Sequence, residues 1–282
     1  MISRARDGQD WLRPQSVAFT LLAEHVVPRR VALWSGSFIE VFGRLGISEH
    51  ATRATLSRMS QRGLLLRHRR GRRVYFSPTP HCCEVLEGGR QRIWDVGAVN
   101  HDADAPWTIT TFTLPEDQQR ERHDLRSRLA WAGLGPLRPG VWIGPAEPDC
   151  VVAVMAELGL DRRVHVLPVG PASAEDLARI AREVFDLDAL AAGYRRFLAT
   201  WRDGHGADTA PTDDPLALML RLTTEWLQLL RRDPRVPVPL LPPHWPAVAA
   251  QALFMSLHTR NLPAATQVAG EIFETVALPP DM

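Results

Sequence analysis

Apolar residues recur at helical spacing from Pro14 onward. Val17, Ala18, Leu21, Leu22 and His25 mark the inner side of a helix predicted over Pro14–Val26, which Pro28 ends. Ala32–Trp34 reads as a short strand. Phe38, Ile39, Phe42 and Leu45 form the stripe of a second helix, with Ser35 as its expected N-cap and Gly46 closing it. A third helix opens at Ser48-Glu49 and stops at Gly63. At about 100° per residue, Thr52, Thr55, Leu56 and Met59 share its inner face. His50, Arg53, Ala54, Ser57 and Gln61 share the outer face, with Arg58 at its edge. Leu64–Arg69 and Arg72–Ser77 are predicted strands joined by a tight turn at Arg70-Gly71.

Beyond this module the pattern changes. Thr79–Leu86 reads as a short closing helix, and Glu87–Ala105 is polar, glycine-containing and without period, which predicts a linker. Strand-like Trp107–Thr113 is followed by a charged helix over Glu116–Trp131 and two short strands around Pro139-Gly140. A helix over Asp149–Leu158 and a strand over Val164–Pro168 complete the β-α-β-β-α-β order of a ferredoxin-like domain. Residues 173–201 read as helix, capped by Ser173 and broken near Asp186. A polar spacer, Asp203–Asp214, precedes a helix over Pro215–Arg231. Six prolines between Pro234 and Pro246 predict an extended bracing loop. Helices over Ala247–Thr259 and Pro263–Val276 would complete an all-α end.

A chain of 282 residues exceeds one typical core. The expected fold class is α+β, in three domains: a winged helix-turn-helix over 1–88, joined by a linker over 89–106 to a central ferredoxin-like domain over 107–170, and a C-terminal all-α domain over 171–282.

Charge sharpens the reading of the first domain. Net charge is +1, but residues 1–80 carry fourteen arginines against five acidic residues, so the remainder holds an excess of eight negative charges. A basic module on an acidic body is the footprint of a polyanion partner. The chain has no lysine, which points to genome composition and weakens any argument from arginine number alone. Arrangement is the stronger signal. Three helices followed by a basic hairpin place a short, polar, cationic helix face where it can lie in a major groove. The DNA-contacting residues are expected to be His50, Arg53, Ser57, Arg58 and Gln61. Arg69, Arg70, Arg72 and Arg73 join them from the hairpin tip, against phosphates or in a minor groove.

Other chemistry is not evident. No Gly-x-Ser-x-Gly elbow, His-Glu-x-x-His pair or phosphate-binding glycine loop occurs, so no catalytic residue, cofactor or metal is expected. His101, Asp102 and Asp104 read as a self-solvating linker rather than a metal site. Cys82, Cys83 and Cys150 offer neither a disulfide framework nor zinc spacing, and are read as small buried apolar residues in a reducing compartment. The first residues have no apolar core of a signal peptide, and no stretch is long enough to span a membrane, so a cytoplasmic location is expected.

The segments LWSGSFIEVFGRLGISEHATRATLSRMSQRGLL and RRGRRVYFSPTP resemble the PaaX-like repressors of phenylacetate catabolism. WTITTFTLPEDQQRERHDLRSRLAWAGLGPLRPGVWIGP resembles the central domain of that family. FDLDALAAGYRRFLATW and LLRRDPRVPVPLLPPHWPAVAAQALFMSL resemble its C-terminal segment, so the resemblance spans nearly the whole chain. It implies a cytoplasmic repressor that binds a double-stranded operator as a homodimer. It also implies release by an aryl-CoA thioester such as phenylacetyl-CoA, with DNA contacts at Arg53, Ser57, Arg58 and the Arg69–Arg73 wing. The central domain of the family resembles the small nuclease of CRISPR adaptation, which needs an aspartate at the end of its first strand. Thr113-Leu114-Pro115-Glu116 has none, so a scaffolding or dimerising role is expected. With an aryl-CoA in view, Arg195, Arg221 and Trp226 are the expected effector contacts, in a region that also holds Arg196, Arg231, Arg232, Trp201 and Trp245. The competing reading is that these are core tryptophans and solvated arginines. The rival functions are a pathway activator without a small ligand, and an enzyme acting on acyl-CoA.

Overall fold

The computed structural model describes residues 13–114, 118–160, 163–202 and 214–278. The expected helix start at Glu116 and nearly all of the Asp203–Asp214 spacer lie outside the described residues. Helix α1 (Pro14–Leu21) opens on a proline, whose missing N–H would be unpaired at that position anyway, and runs on as a π-turn over Leu22–Val26. Strand β1 (Val31–Trp34) passes straight into α2 (Ser35–Arg44). Ser35 is thus the first helical residue and not the N-cap. Trp34, extended at ψ 140°, holds the cap position because the strand runs up to it, and no side chain caps this end. Gly46, at φ +75°, reverses the chain after α2 while Ile47 N–H donates to Phe42 O at 2.9 Å. The turn leads to α3 (Glu49–Gln61), where Ser48 Oγ accepts from Ala51 N–H as expected.

Strands β2 (Leu65–Arg70) and β3 (Arg73–Pro78) follow. Arg70 pairs with Arg73, so the turn is Gly71-Arg72, one residue later than the predicted Arg70-Gly71. Gly71 alone takes positive φ (+58°), and a type II′ turn requires its glycine at the first central position. Helix α4 (Pro80–Gln91), capped by Thr79, continues through a π-turn to Val96, where a linker was expected from Glu87. Leu86, Gly89 and Ile93 are buried at i, i+3 and i+7, and the glycine in the middle hides the period from a hydropathy reading.

The remaining elements are β4 (Thr108–Phe112), α5 (Gln119–Trp131), β5 (Gly135–Arg138), β6 (Val141–Gly144), α6 (Pro148–Glu157), β7 (Val164–Pro168) and α7 (Ala174–Val184). After them come α8 (Leu187–Arg202), α9 (Pro215–Leu230), α10 (Pro246–Ile272) and β8 (Thr275–Ala277). Ser173 caps α7, and Asp186, at the break, accepts from Ala189 N–H at 2.9 Å. Two predicted C-terminal helices are one helix, α10, with Pro263 inside it. A proline removes one hydrogen bond but not the continuity of a helix held on both sides. Phe254 and Leu257 are buried before it, Ala265 and Ala269 after it. Nor is the end all-α: β8 is a strand.

The class is α+β, with two four-stranded antiparallel sheets in the orders β2-β3-β1-β8 and β5-β6-β4-β7. The chain forms two compact units, neither contiguous in sequence. One gathers the residues up to Val96, Phe197–Gln228 and those from Ala252 on, and the other gathers Gly97–Arg196 and Leu229–Gln251. In the first unit, Leu21, Phe38, Phe42, Leu56 and Phe76 share one core with Leu216 and Leu220 of α9 and Ala269 of α10. Thr20 and Thr224 exchange a buried 2.8 Å hydrogen bond across that same core. In the second, Leu125, Leu129, Trp142, Val151 and Met155 lie between sheet and helices. Only Cys82 is buried. Cys83 is half-buried and Cys150 exposed, on the side of α6 away from Val151 and Met155.

Two stability predictions follow from the first unit. Leu220 is fully buried, so Leu220→Ala should cost about 2–5 kcal/mol in urea denaturation, with loss of helical signal from the first unit. In the π-turn after α1, burial lifts the Glu24 carboxyl to about 7 and drops neighbouring His25 to about 4. The raised carboxyl loses stability as pH climbs from 4.5 to 7, whereas the depressed histidine gains it from 4 to 6.5, so the two slopes oppose. Glu24→Gln should leave the histidine slope alone, and Tm should then rise more between pH 4.5 and 6.5 than in the wild type. Parallel Tm profiles would refute the pairing.

Candidate nucleic-acid interface

Helix α3 is amphipathic in an unusual sense. Its inner face is Thr52, Thr55, Leu56 and Met59, all buried, with Thr52 Oγ1 returning a hydrogen bond to Ser48 O at 3.0 Å. Its outer face carries His50, Arg53, Ser57, Arg58 and Gln61, and every one of these is exposed. At 13 residues the helix is about 20 Å long. Arg53 is held by Glu49 one turn back, Nη2 to Oε1 at 2.7 Å. The pair is exposed at both ends and worth little in water. Arg58 Nη2 donates to Thr55 Oγ1 at 3.1 Å, which lays that guanidinium along the helix.

The hairpin sorts its arginines by register. Arg67 faces Phe76 across the ladder, and Arg69 faces Val74, so both lie on the sheet face that packs on α2 through the Phe38–Phe76 edge contact. Arg70 and Arg73 pair on the opposite face, in line with His68 opposite Tyr75. Arg72 sits in the turn. Thus the sequence reading overlooked Arg67 as a partner of Arg69. The two stand two residues apart on one strand and share a face wherever the turn falls, whereas the shift in the turn sets Arg73 rather than Arg72 on the hairpin's return strand opposite Arg70.

Arg73 differs from Arg53 and Arg58 in being engaged by residues outside its own element. Its guanidinium lies 4.8 Å from the Trp34 ring centroid and pairs with Glu274. Tyr75 Oη donates to the same carboxylate at 2.5 Å, and these two contacts hold Glu274 below the ordinary glutamate range, the tyrosine contributing most. The backbone of Glu274 is fixed as well. Its N–H donates to Ser37 Oγ and its carbonyl accepts from Trp34 N–H. Ser37 Oγ in turn donates to Ile272 O at 3.0 Å. Glu274 stands between α10 and β8, so strand β3 of the hairpin is tied, from its turn end, to the segment that leads into β8.

Of the three expected effector residues, Arg221 and Trp226 fall in the first compact unit and Arg195 in the second. Trp226 is fully buried, stacked on Phe254 at 4.9 Å and tilted against Phe197 at 5.3 Å. Arg221 is buried beside it, 5.6 Å from the Trp201 ring, whose Nε1 donates to Glu225. These side chains form a packed aromatic core. Arg195 is exposed and belongs to the other compact unit. Among the described residues no group of three His, Cys, Asp or Glu side chains could hold a metal, and no helix is long and apolar enough to cross a membrane.

Three family models match the chain in succession. They are the PaaX-like protein over residues 13–81, the PaaX protein central Cas2-like domain over 100–181, and the PaaX-like protein C-terminal domain over 185–271. The transcriptional repressor PaaX of Escherichia coli (strain K12) is 25% identical over 271 residues, covering 92% of this chain and 84% of its own. Among solved structures, the uncharacterised protein Rv0674 from Mycobacterium tuberculosis aligns with a TM-score of 0.56 at 21% identity, over 90% of this chain and 97% of that one. That likeness speaks to the fold alone. With its three parts matched in order, the chain belongs to the PaaX-like protein family.

Proposed function

We propose that this chain is a transcriptional repressor that binds a double-stranded operator through a winged helix-turn-helix, with α3 as the reading helix and the β2–β3 hairpin as the wing. The observation that carries the reading is the outer face of α3, where His50, Arg53, Ser57 and Gln61 are all exposed beside an arginine-rich hairpin. Arginine on such a face suits guanine and glutamine suits adenine. Family membership and the repressor named above support the same function. The finer parts of the proposal are a homodimer in the cytoplasm, a ferredoxin-like central domain, and relief of binding by an aryl-CoA thioester. In that scheme effector shifts the population toward a dimer whose half-site spacing no longer fits the operator.

Arg67 and Arg69 share the α3 side of the hairpin, so they and the turn residue Arg72 are the natural phosphate anchors. Arg70 and Arg73 lie on the far face, and Arg73 is occupied by Glu274.

A gel shift against the DNA upstream of its own gene, and against a selected random library at low salt, tests the function. Retention of one sequence over competitor is expected, and no retention on any sequence sinks the proposal. Arg53→Ala should lose about 1–3 kcal/mol on the selected site and relax its sequence preference at one position. Arg69→Ala should weaken binding on all sequences and reduce the salt slope by about one, while Arg73→Ala should change the slope less and lower Tm instead. Equal salt slopes for the two hairpin variants would refute the division of the hairpin by face.

A further inference from the structure

The second unit contains a feature that the repressor reading does not use. At the turn end of its sheet lies a cleft of about 510 Å³, walled by Phe112, Trp142, Pro136, Pro139, Arg126 and Arg138. A second cleft of about 510 Å³ is lined by Gln119, Arg122, His123 and Arg126. Arg126 lines both, so the two adjoin. Each is of a size that takes a small organic ligand.

The two lobes differ in chemistry. Gln119, Arg122, His123 and Arg126 stand at i, i+3, i+4 and i+7 of α5, one polar and cationic stripe. Glu121 and Asp124 of the same helix fall outside both linings, and no described residue lining either cleft is acidic. Arg122 is pre-set by its bonds to Leu114 O, with Nε at 3.2 Å and Nη2 beside it. Among the described residues Arg126 has no ion-pair or hydrogen-bond partner, and it is exposed. The other lobe is apolar, lined by Phe112, Leu137 and two prolines, while Trp142, a core residue only 8% exposed, reaches it with little of its surface. Arg138 at its edge is held by Leu137 O at 2.7 Å and by Glu183 at 2.8 Å, so its charge is already matched. Gly140 shapes the floor. It sits at φ +76°, and a Cβ there would meet Phe112 O at 2.7 Å, while Phe112 N–H donates to Gly140 O at 2.9 Å. The β5–β6 turn closes on the end of β4 because this residue has no side chain.

We infer that these joined clefts bind a phosphate-bearing organic anion with a flat apolar group. The phosphates lie on the Arg122–Arg126 stripe and the flat group against Phe112 and the prolines. Guanidinium pairs i, i+4 apart on one helix favour phosphate by charge-assisted bonds, and the apolar lobe gives a planar group a surface out of water. Aryl-coenzyme A thioesters and free nucleotides both have this chemistry. The inference gives the effector part of the proposed function a place away from Arg195, Arg221 and Trp226, and only its link to DNA rests on that function.

Calorimetric titration of the full chain with phenylacetyl-CoA, ADP, pyrophosphate and phenylacetate tests it, without DNA. The phosphate-bearing probes should bind, and the tighter of phenylacetyl-CoA and ADP identifies the source of the ligand. Phenylacetate alone should bind more weakly than its thioester. Arg126→Glu should weaken the best probe about tenfold or more, Arg126→Gln less, and Arg195→Glu not at all, with circular dichroism unchanged. No heat from any phosphate-bearing probe overturns the inference, as does unaltered affinity in Arg126→Glu and Arg126→Gln, or loss in Arg195→Glu instead. A gel shift on the same preparations separates the two claims. Failure to bind DNA counts against the repressor and leaves the titration standing. Probe binding lost in Arg126→Glu without effect on DNA affinity supports the cleft and removes its regulatory role.

Discussion

The antiparallel pairing of β8 on β1 is the constraint on which the first unit depends. It sets three residues from the far end of the described chain beside Val31, Ala32 and Leu33 and turns a three-stranded sheet into a four-stranded one. Glu274, just before β8, then fastens the hairpin through Arg73 and Tyr75 and fastens α2 through Ser37. An exposed ion pair alone would contribute little. Here the carboxylate also accepts a tyrosine hydroxyl, and its backbone is bonded on both sides, so the side chain has little freedom left to lose.

Burial follows the same plan. Leu216, Leu220 and Ala269 sit in one core with the residues of α1, α2 and α3. Buried apolar area is the main favourable term, and a small module on its own has little of it. Adding residues of α9 and α10 to the core of the N-terminal elements raises that area. The outer face of α3 carries His50, Arg53, Ser57 and Gln61 in the open, since the core is filled from its other side.

Helix α3 was legible because its information is local. Ser48, Gly46 and Gly63 mark its ends, and a period of 3.6 separates Thr52, Leu56 and Met59 from His50, Arg53 and Gln61. The order of elements from β4 to β7 was legible for the same reason. What escaped was nonlocal or locally masked. A three-residue strand such as β8 carries no pattern of its own, and its partner lies at the other end of the chain. Gly89 interrupts the apolar stripe of α4, and Pro263 imitates a helix end. The turn at Gly71 was misplaced by a single residue, enough to put Arg72 in the turn and Arg73 opposite Arg70. Arg221 and Trp226 had the composition of a ligand site but pack against Trp201, Phe197 and Phe254.

Ser37 and Glu274 are bonded across 237 positions of chain. During synthesis the residues that would read DNA emerge first, yet the strand that completes their sheet and the helix that fills their core emerge last. Contacts of such separation close late. A chain interrupted before α10 therefore lacks Ala269, Glu274 and β8, and with them the fourth strand of its first sheet and the residue that ties Arg73, Tyr75 and Ser37 together.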